Sequence, residues 1–186
     1  MKKITLIVLL FAFSLQTHAQ NFEDQDFKRN ELRLGLHVLY SMVRVEYEYF
    51  LNDWSSAGVS AALNAGVFPL SGTEPLVRAQ TLGLYRLYFG KQPATGFFVE
   101  GNLGITSGNT FVIFGSSEKY TIFGIGVAIG WKLHNPRSGV TANFLCGMGR
   151  SLASNLSREV GYLRMGIFVG KRFGNETRKT IEVPSL

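Results

Sequence analysis

Phe123-Gly124-Ile125-Gly126-Val127-Ala128-Ile129-Gly130-Trp131-Lys132-Leu133 decides the fold. Taken by twos, Phe123, Ile125, Val127, Ile129, Trp131 and Leu133 share one face, while Gly124, Gly126, Ala128, Gly130 and Lys132 share the other. A strand turns successive side chains to opposite faces, so this segment has a large apolar side and a nearly bare one. In a soluble half-buried sheet the second side carries Thr, Lys or Glu toward water. Glycine repeated inside a strand costs stability, and it marks a face that something approaches closely. A narrow barrel wall explains both halves of the pattern, with lipid against the apolar side and crowded side chains against the bare one.

The same alternation recurs on either side of this stretch. Leu32, Leu34, Leu36 and Val38 oppose Glu31, Arg33, Gly35 and His37. Val43, Val45, Tyr47, Tyr49 and Leu51 oppose Arg44, Glu46, Glu48 and Phe50. Val59 to Val67 continue it with small residues. Val77 to Phe89 is the least regular segment, with Arg78, Gln80 and Arg86 sharing a parity with Leu82, Leu84 and Tyr88. Phe97 to Ile105, Val140 to Gly149 and Tyr162 to Arg172 complete a set of strands, each of about nine to eleven residues, the length a tilted strand needs to cross a bilayer. Helical periodicity is missing from the mature chain. The expected fold class is therefore all-β: an eight-stranded antiparallel up-and-down transmembrane barrel.

The connections alternate in length. Asn52 to Ser56, Gly90 to Gly96 and His134 to Gly139 are short and rich in turn residues; Phe68 to Leu76, Thr106 to Lys119 and Arg150 to Gly161 are longer. Short turns at one end and long loops at the other is the layout of outer-membrane barrels. Between Tyr40 and Val43 almost no loop is left. Apolar residues in the longest loop, Phe111 to Phe114, are either a contact patch or a strand continued above the membrane. Phe68, Phe111, Phe114 and Tyr120 are expected to decorate the outer loops.

Most strand charges share the bare parity. The expected interior polar network is Arg33, Arg44, Glu46, Glu48, Arg78, Arg86, Glu100, Lys132, Arg164 and Arg172, with Glu31 beside them; Phe123, Ile125, Val127, Ile129 and Trp131 are expected to face lipid. Eight strands enclose a space that side chains just fill, so a plugged lumen is expected. The charges read either as an ion-pair plug or as a substrate-binding cluster. Tyr47, Tyr49, Tyr85, Phe89, Phe97, Trp131 and Phe173 lie near the turn end on the apolar parity, as an interfacial girdle would; a soluble barrel would make them core residues.

The ends divide the chain into four parts. Lys2 and Lys3, the apolar run from Ile4 to Leu15 and Thr17-His18-Ala19 make residues 1–19 a signal peptide, too short and wrongly flanked for a spanning helix. A polar lead (20–29), an outer-membrane barrel (30–173) and a C-terminal periplasmic tail (174–186) follow. The formal net charge of +6 falls to +4 without Lys2 and Lys3, and the arginines form no basic stripe, so nucleic acid is not an expected partner. Cys146, the only cysteine, excludes an intrachain disulfide and is expected as an inert packed thiol.

On these residues the chain resembles the small porin-like outer-membrane barrels of Bacteroidota, themselves similar to the eight-stranded OmpA and OmpX barrels. The resemblance spans Glu31 to Phe173 and rests on four segments. These are Thr17-His18-Ala19-Gln20, Val45-Glu46-Tyr47-Glu48-Tyr49, Tyr85-Arg86-Leu87-Tyr88-Phe89 and Gly96-Phe97-Phe98-Val99-Glu100. It implies residence in the cell outer membrane, contact with its lipid and insertion by the barrel assembly machinery. A surface partner reached through the long loops is a further expectation, and no catalytic residue is carried over. One departure is at the end: Arg164, Gly166 and Val169 fit the assembly signal, but Lys171 stands where its aromatic belongs and Phe173 comes two residues later.

Chemistry-bearing residues are sparse. His37 and His134 are the mature histidines, and Asp24, Asp26 and Asp53 the aspartates. Neither histidine has a serine two residues away, as a barrel lipid deacylase would. A His37–Glu46 pair with Ser41 is the remaining nucleophilic arrangement. Two isolated histidines and one thiol give no metal spacing, and Gly124-x-Gly126 has no following helix to make a phosphate loop. The expectation is a non-enzymatic barrel without catalytic residues, metal or cofactor. The alternatives are a secreted lipocalin-like barrel holding an apolar ligand and a lipid-modifying barrel enzyme.

Overall fold

The deciding stretch lies within β6 (Lys119–His134), the longest strand, whose side chains alternate between exposed and buried from end to end. The computed structural model describes residues 28–37, 41–65, 77–109, 118–155 and 161–174. The expected leader, most of the polar lead and most of the tail lie outside the described residues, as does the Phe111–Phe114 patch. The other strands are β1 (Asn30–His37), β2 (Met42–Asn52), β3 (Ser55–Asn64), β4 (Val77–Tyr88), β5 (Gly96–Asn109), β7 (Val140–Ser154) and β8 (Gly161–Phe173).

Each strand pairs antiparallel with its sequence neighbour, and β1 pairs with β8 to close the barrel. Closure matters physically because it leaves no strand edge with unpaired N–H and C=O groups. The seam runs from Asn30 opposite Phe173 to Leu36 opposite Ile167. Phe173 is thus the last paired residue of β8 and faces outward. The late aromatic is the true end of the strand.

β5, β6 and β7 run to 14, 16 and 15 residues, longer than the nine to eleven expected from alternation. Polar and small residues such as Thr106, Ser107 and Ser151 continue the ladder where the apolar pattern fades, because backbone hydrogen bonding asks nothing of side-chain polarity. These strands take over the flanks of the long loops. At the opposite end the connections are short: residues 53–54, 89–95 and 135–139. β1 and β2 are joined by 38–41, where Ser41 takes a positive φ of 50° and accepts a hydrogen bond from the N–H of Ala65.

The interior glycines have specific occupants. A Cβ on Gly35 would fall 2.2 Å from the Phe168 ring, and one on Gly130 2.4 Å from the Phe98 ring. Large inward rings therefore fit only because the facing wall is bare.

Candidate functional site

Four glutamates on three strands organise the lumen, and alternation places all of them inward with their cationic partners. Glu31 and Arg33 come from β1, Glu46 and Glu48 from β2, Arg86 from β4, Glu100 from β5, Lys132 from β6, Arg164 and Arg172 from β8. All nine are buried. Arg86 joins three carboxylates, with Nη2 2.9 Å from Glu46, Nη1 3.2 Å from Glu48 and Nε 2.8 Å from Glu100. Arg164 bridges Glu46 at 2.7 Å and Glu100, while Arg33 reaches Glu31 at 2.9 Å, Glu46 at 3.1 Å and Glu48 at 2.5 Å.

Toward the short-turn end the network continues through Lys132, whose Nζ lies 2.9 Å from Glu31 and 3.0 Å from Glu48. Ser56 and Tyr88 each donate a hydroxyl to Glu48, and Thr141 donates to Glu31 at 3.0 Å. Arg172 donates to Glu31 at 2.9 Å and to the carbonyls of Pro93 and Ala94 at 3.1 and 2.5 Å. Those two residues belong to the turn 89–95, and the Ala94 N–H donates to the Asp53 carbonyl at 2.6 Å. The turn is therefore drawn across the barrel mouth. Beneath it Phe50, Tyr88, Ala94, Phe98, Ala128, Leu145 and Phe168 pack as an apolar cluster. Cations lie over its rings: Lys132 is 4.7 Å and Arg172 4.5 Å from the Phe50 centroid.

Nearer the loop end the contents change. Arg44 donates to Gln80 at 2.6 Å, Gln80 to Thr106 at 3.0 Å, and Tyr162 to Asn102 at 2.7 Å. Among the described residues Arg44 has no carboxylate partner. Met42, Ala62 and Val77 form one small apolar cluster there, and Tyr120, Ile122 and Tyr162 another.

Nine of the ten residues expected in the interior network lie inside the barrel. Arg78 does not: it is exposed on the outer wall. The pairing of β4 with β5 shifts register between Val77 and Ala79, and that irregularity turns Val77 inward and Arg78 outward. Counting by twos back from Gln80 had no way to register the slip. Tyr120 also differs from expectation, being buried under Tyr162 instead of decorating a loop. Cys146, expected as a packed thiol, is exposed on the outward parity of β7. Network members that charge alone does not flag are Ser56, Tyr88, Gln80 and Thr141; their signal is the parity they share with charged residues on neighbouring rungs.

Phe123, Ile125, Val127, Ile129 and Trp131 all point outward. The outer wall is mostly apolar, with Leu34 61% and Val127 62% exposed, and Arg78 and Arg150 interrupt it toward the long-loop end. His37 is buried inside, His134 ends β6, and Glu46 is engaged by three arginines. Among the described residues no group of His, Cys, Asp and Glu is placed to hold a metal ion.

The fold is similar to that of the N-terminal β-barrel domain of Pseudomonas aeruginosa OprF. The TM-score with that crystal structure is 0.53, at 16% sequence identity, over 80% of this chain and 100% of that one. No protein-family model matches the chain, and the search of curated proteins found no match.

Proposed function

We propose that this chain is an integral outer-membrane β-barrel with a side-chain-filled lumen and a structural or surface-interaction role, exported by its leader and presenting its long loops outward. One observation carries the reading: the barrel is inside out for a soluble protein. Ionised residues fill its interior, and Leu, Ile, Val and Phe cover its outside. A continuous apolar wall far exceeds the few hundred Å² of apolar patch a soluble monomer exposes, and hydrocarbon is the solvent that favours it.

The lipocalin-like alternative needs an apolar lumen. The lumen instead holds Glu46, Glu48, Arg86 and their partners in contact. An enzyme built on His37 and Glu46 is disfavoured because the Glu46 oxygens are already taken by Arg33, Arg86 and Arg164. Kinship with the porin-like barrels of Bacteroidota rests on the Thr17–Gln20, Val45–Tyr49, Tyr85–Phe89 and Gly96–Glu100 segments.

Cell fractionation followed by electrophoresis of the detergent-extracted protein tests the proposal. The expected result is recovery with the outer membrane and a mobility that changes on boiling, as a closed barrel unfolds. Recovery in the soluble periplasmic or secreted fraction overturns it.

A further inference from the structure

Two glycines are unlike the rest. The inward strand glycines are crowded, some by interior side chains (Phe168 over Gly35, Phe98 over Gly130, Arg33 over Gly170) and some by the neighbouring strand's backbone, as Gly104 is by Thr81. Gly83 and Gly101 lie on the outward side of β4 and β5. A Cβ on Gly101 would meet nothing within 4 Å, and one on Gly83 only a backbone oxygen at 3.8 Å. Nothing in the described chain calls for glycine at either place, although each weakens its strand.

Together they floor a recess in the outer wall of about 860 Å³. Its sides are Tyr85, Leu103, Ile125, Val127 and Met148, all exposed apolar residues. Strand register shows how it runs. Gly83 pairs with Leu103, Leu103 with Ile125, and Ile125 with Arg150, so one rung leads from the glycine floor across β5 and β6 to an arginine on β7. Arg150 lines the recess and is exposed, on a face otherwise set by Met148, Cys146 and Phe144. It stands toward the long-loop end of its strand. An arginine costs about 2–4 kcal/mol at the bilayer midplane but little near the interface, which suits a place at headgroup level.

We infer that this recess is a lipid-binding site for an anionic glycerophospholipid, one acyl chain lying over Gly83 and Gly101 and the headgroup phosphate pairing with Arg150. The inference rests on the membrane reading above. An apolar trough alone accepts any alkyl chain. The cation at its end supplies the charge complementarity that selects an anionic head over a zwitterionic one.

The full chain, refolded into vesicles of equal phosphatidylglycerol and phosphatidylcholine, provides the test. Flotation and heat-dependent mobility are checked first; retained lipid is then counted by native mass spectrometry. Wild type is expected to retain phosphatidylglycerol with roughly a fivefold preference, the worth of one basic residue at a charged surface. Gly101→Phe raises a ring from the floor of the recess where the acyl chain would lie and is expected to abolish retention of both lipids, with its mobility shift unchanged because the new side chain points into open space. Arg150→Gln is expected to keep chain binding and lose the headgroup preference. Equal retention by wild type and Gly101→Phe overturns the inference while leaving the membrane reading intact. So does a wild-type dimer lost in Gly101→Phe, which makes a second copy the occupant. Failure to float overturns both.

Discussion

Arg86 and Arg44 are both buried, inward-facing guanidinium groups, yet their surroundings differ in kind. Arg86 touches Glu46, Glu48 and Glu100, so its removal leaves three carboxylates short of a countercharge in a place water reaches poorly. Arg44 gives one hydrogen bond, to Gln80, and is repelled by Arg164 while Glu46 and Glu100 attract it without pairing with it. Breaking a buried ion pair from one side costs about 3–5 kcal/mol, whereas an apolar group of similar volume replaces a poorly paired charge with little loss. Arg86→Met is therefore expected to destabilise the refolded barrel by about 3–5 kcal/mol. Arg44→Met is expected to change it by no more than about 1 kcal/mol, roughly the one hydrogen bond lost by Gln80. Urea unfolding in liposomes measures both, and equal losses would mean that the network is not the graded structure the distances describe. At this scale the sequence supplied the charges and their parity. Which cation has carboxylate partners is decided by residues as far apart as Glu46 and Arg164.

β6 shows how completely one strand's pattern can be legible. Its exposed and buried positions alternate as the residues themselves do, because both faces of a closed barrel wall make strong and opposite demands. Ile129, near its middle and exposed, reports which solvent lies outside. Ile129→Arg is expected to cost about 2–4 kcal/mol for a barrel refolded in bilayers. The same change on a water-facing wall stays within about 0.5 kcal/mol, so a negligible loss in liposomes would argue against lipid contact. β4 is the counterexample. A single irregularity between Val77 and Ala79 moves Arg78 from the inside to the outside, and no residue in the segment announces it. Register slips depend on how the partner strand lies, which is information held in β5. The extra lengths of β5 to β7 are equally invisible to apolar alternation, since their outer turns hold Ser and Thr, whose place in the ladder is set by backbone hydrogen bonds.

For the molecule as a whole, the arrangement of the interior governs whether anything passes. The turn 89–95 is held over one mouth by Arg172 and by the Asp53 carbonyl, an apolar cluster lies beneath it, and the ion-pair layer follows. An eight-stranded barrel encloses a space that side chains can fill. The refolded full chain is accordingly expected to give no single-channel conductance in planar bilayers. Reproducible stepwise currents from most insertions would refute a filled lumen.

The sequence by itself determined the barrel class, the strand order and the side of the wall on which nearly every residue lies. Those properties follow from local alternation, from turn chemistry and from the cost of leaving a sheet edge unpaired. The tertiary structure alone decided the closure register from Asn30–Phe173 to Leu36–Ile167, the outward turn of Arg78, the partners of each buried cation and the recess above Gly83 and Gly101. Each of these depends on how strands distant in sequence are staggered around the barrel. Within Phe123 to Leu133 itself, the glycines announced that something presses on that face. The structure names Tyr162 over Gly124 and Gly126, and Phe98 over Gly130.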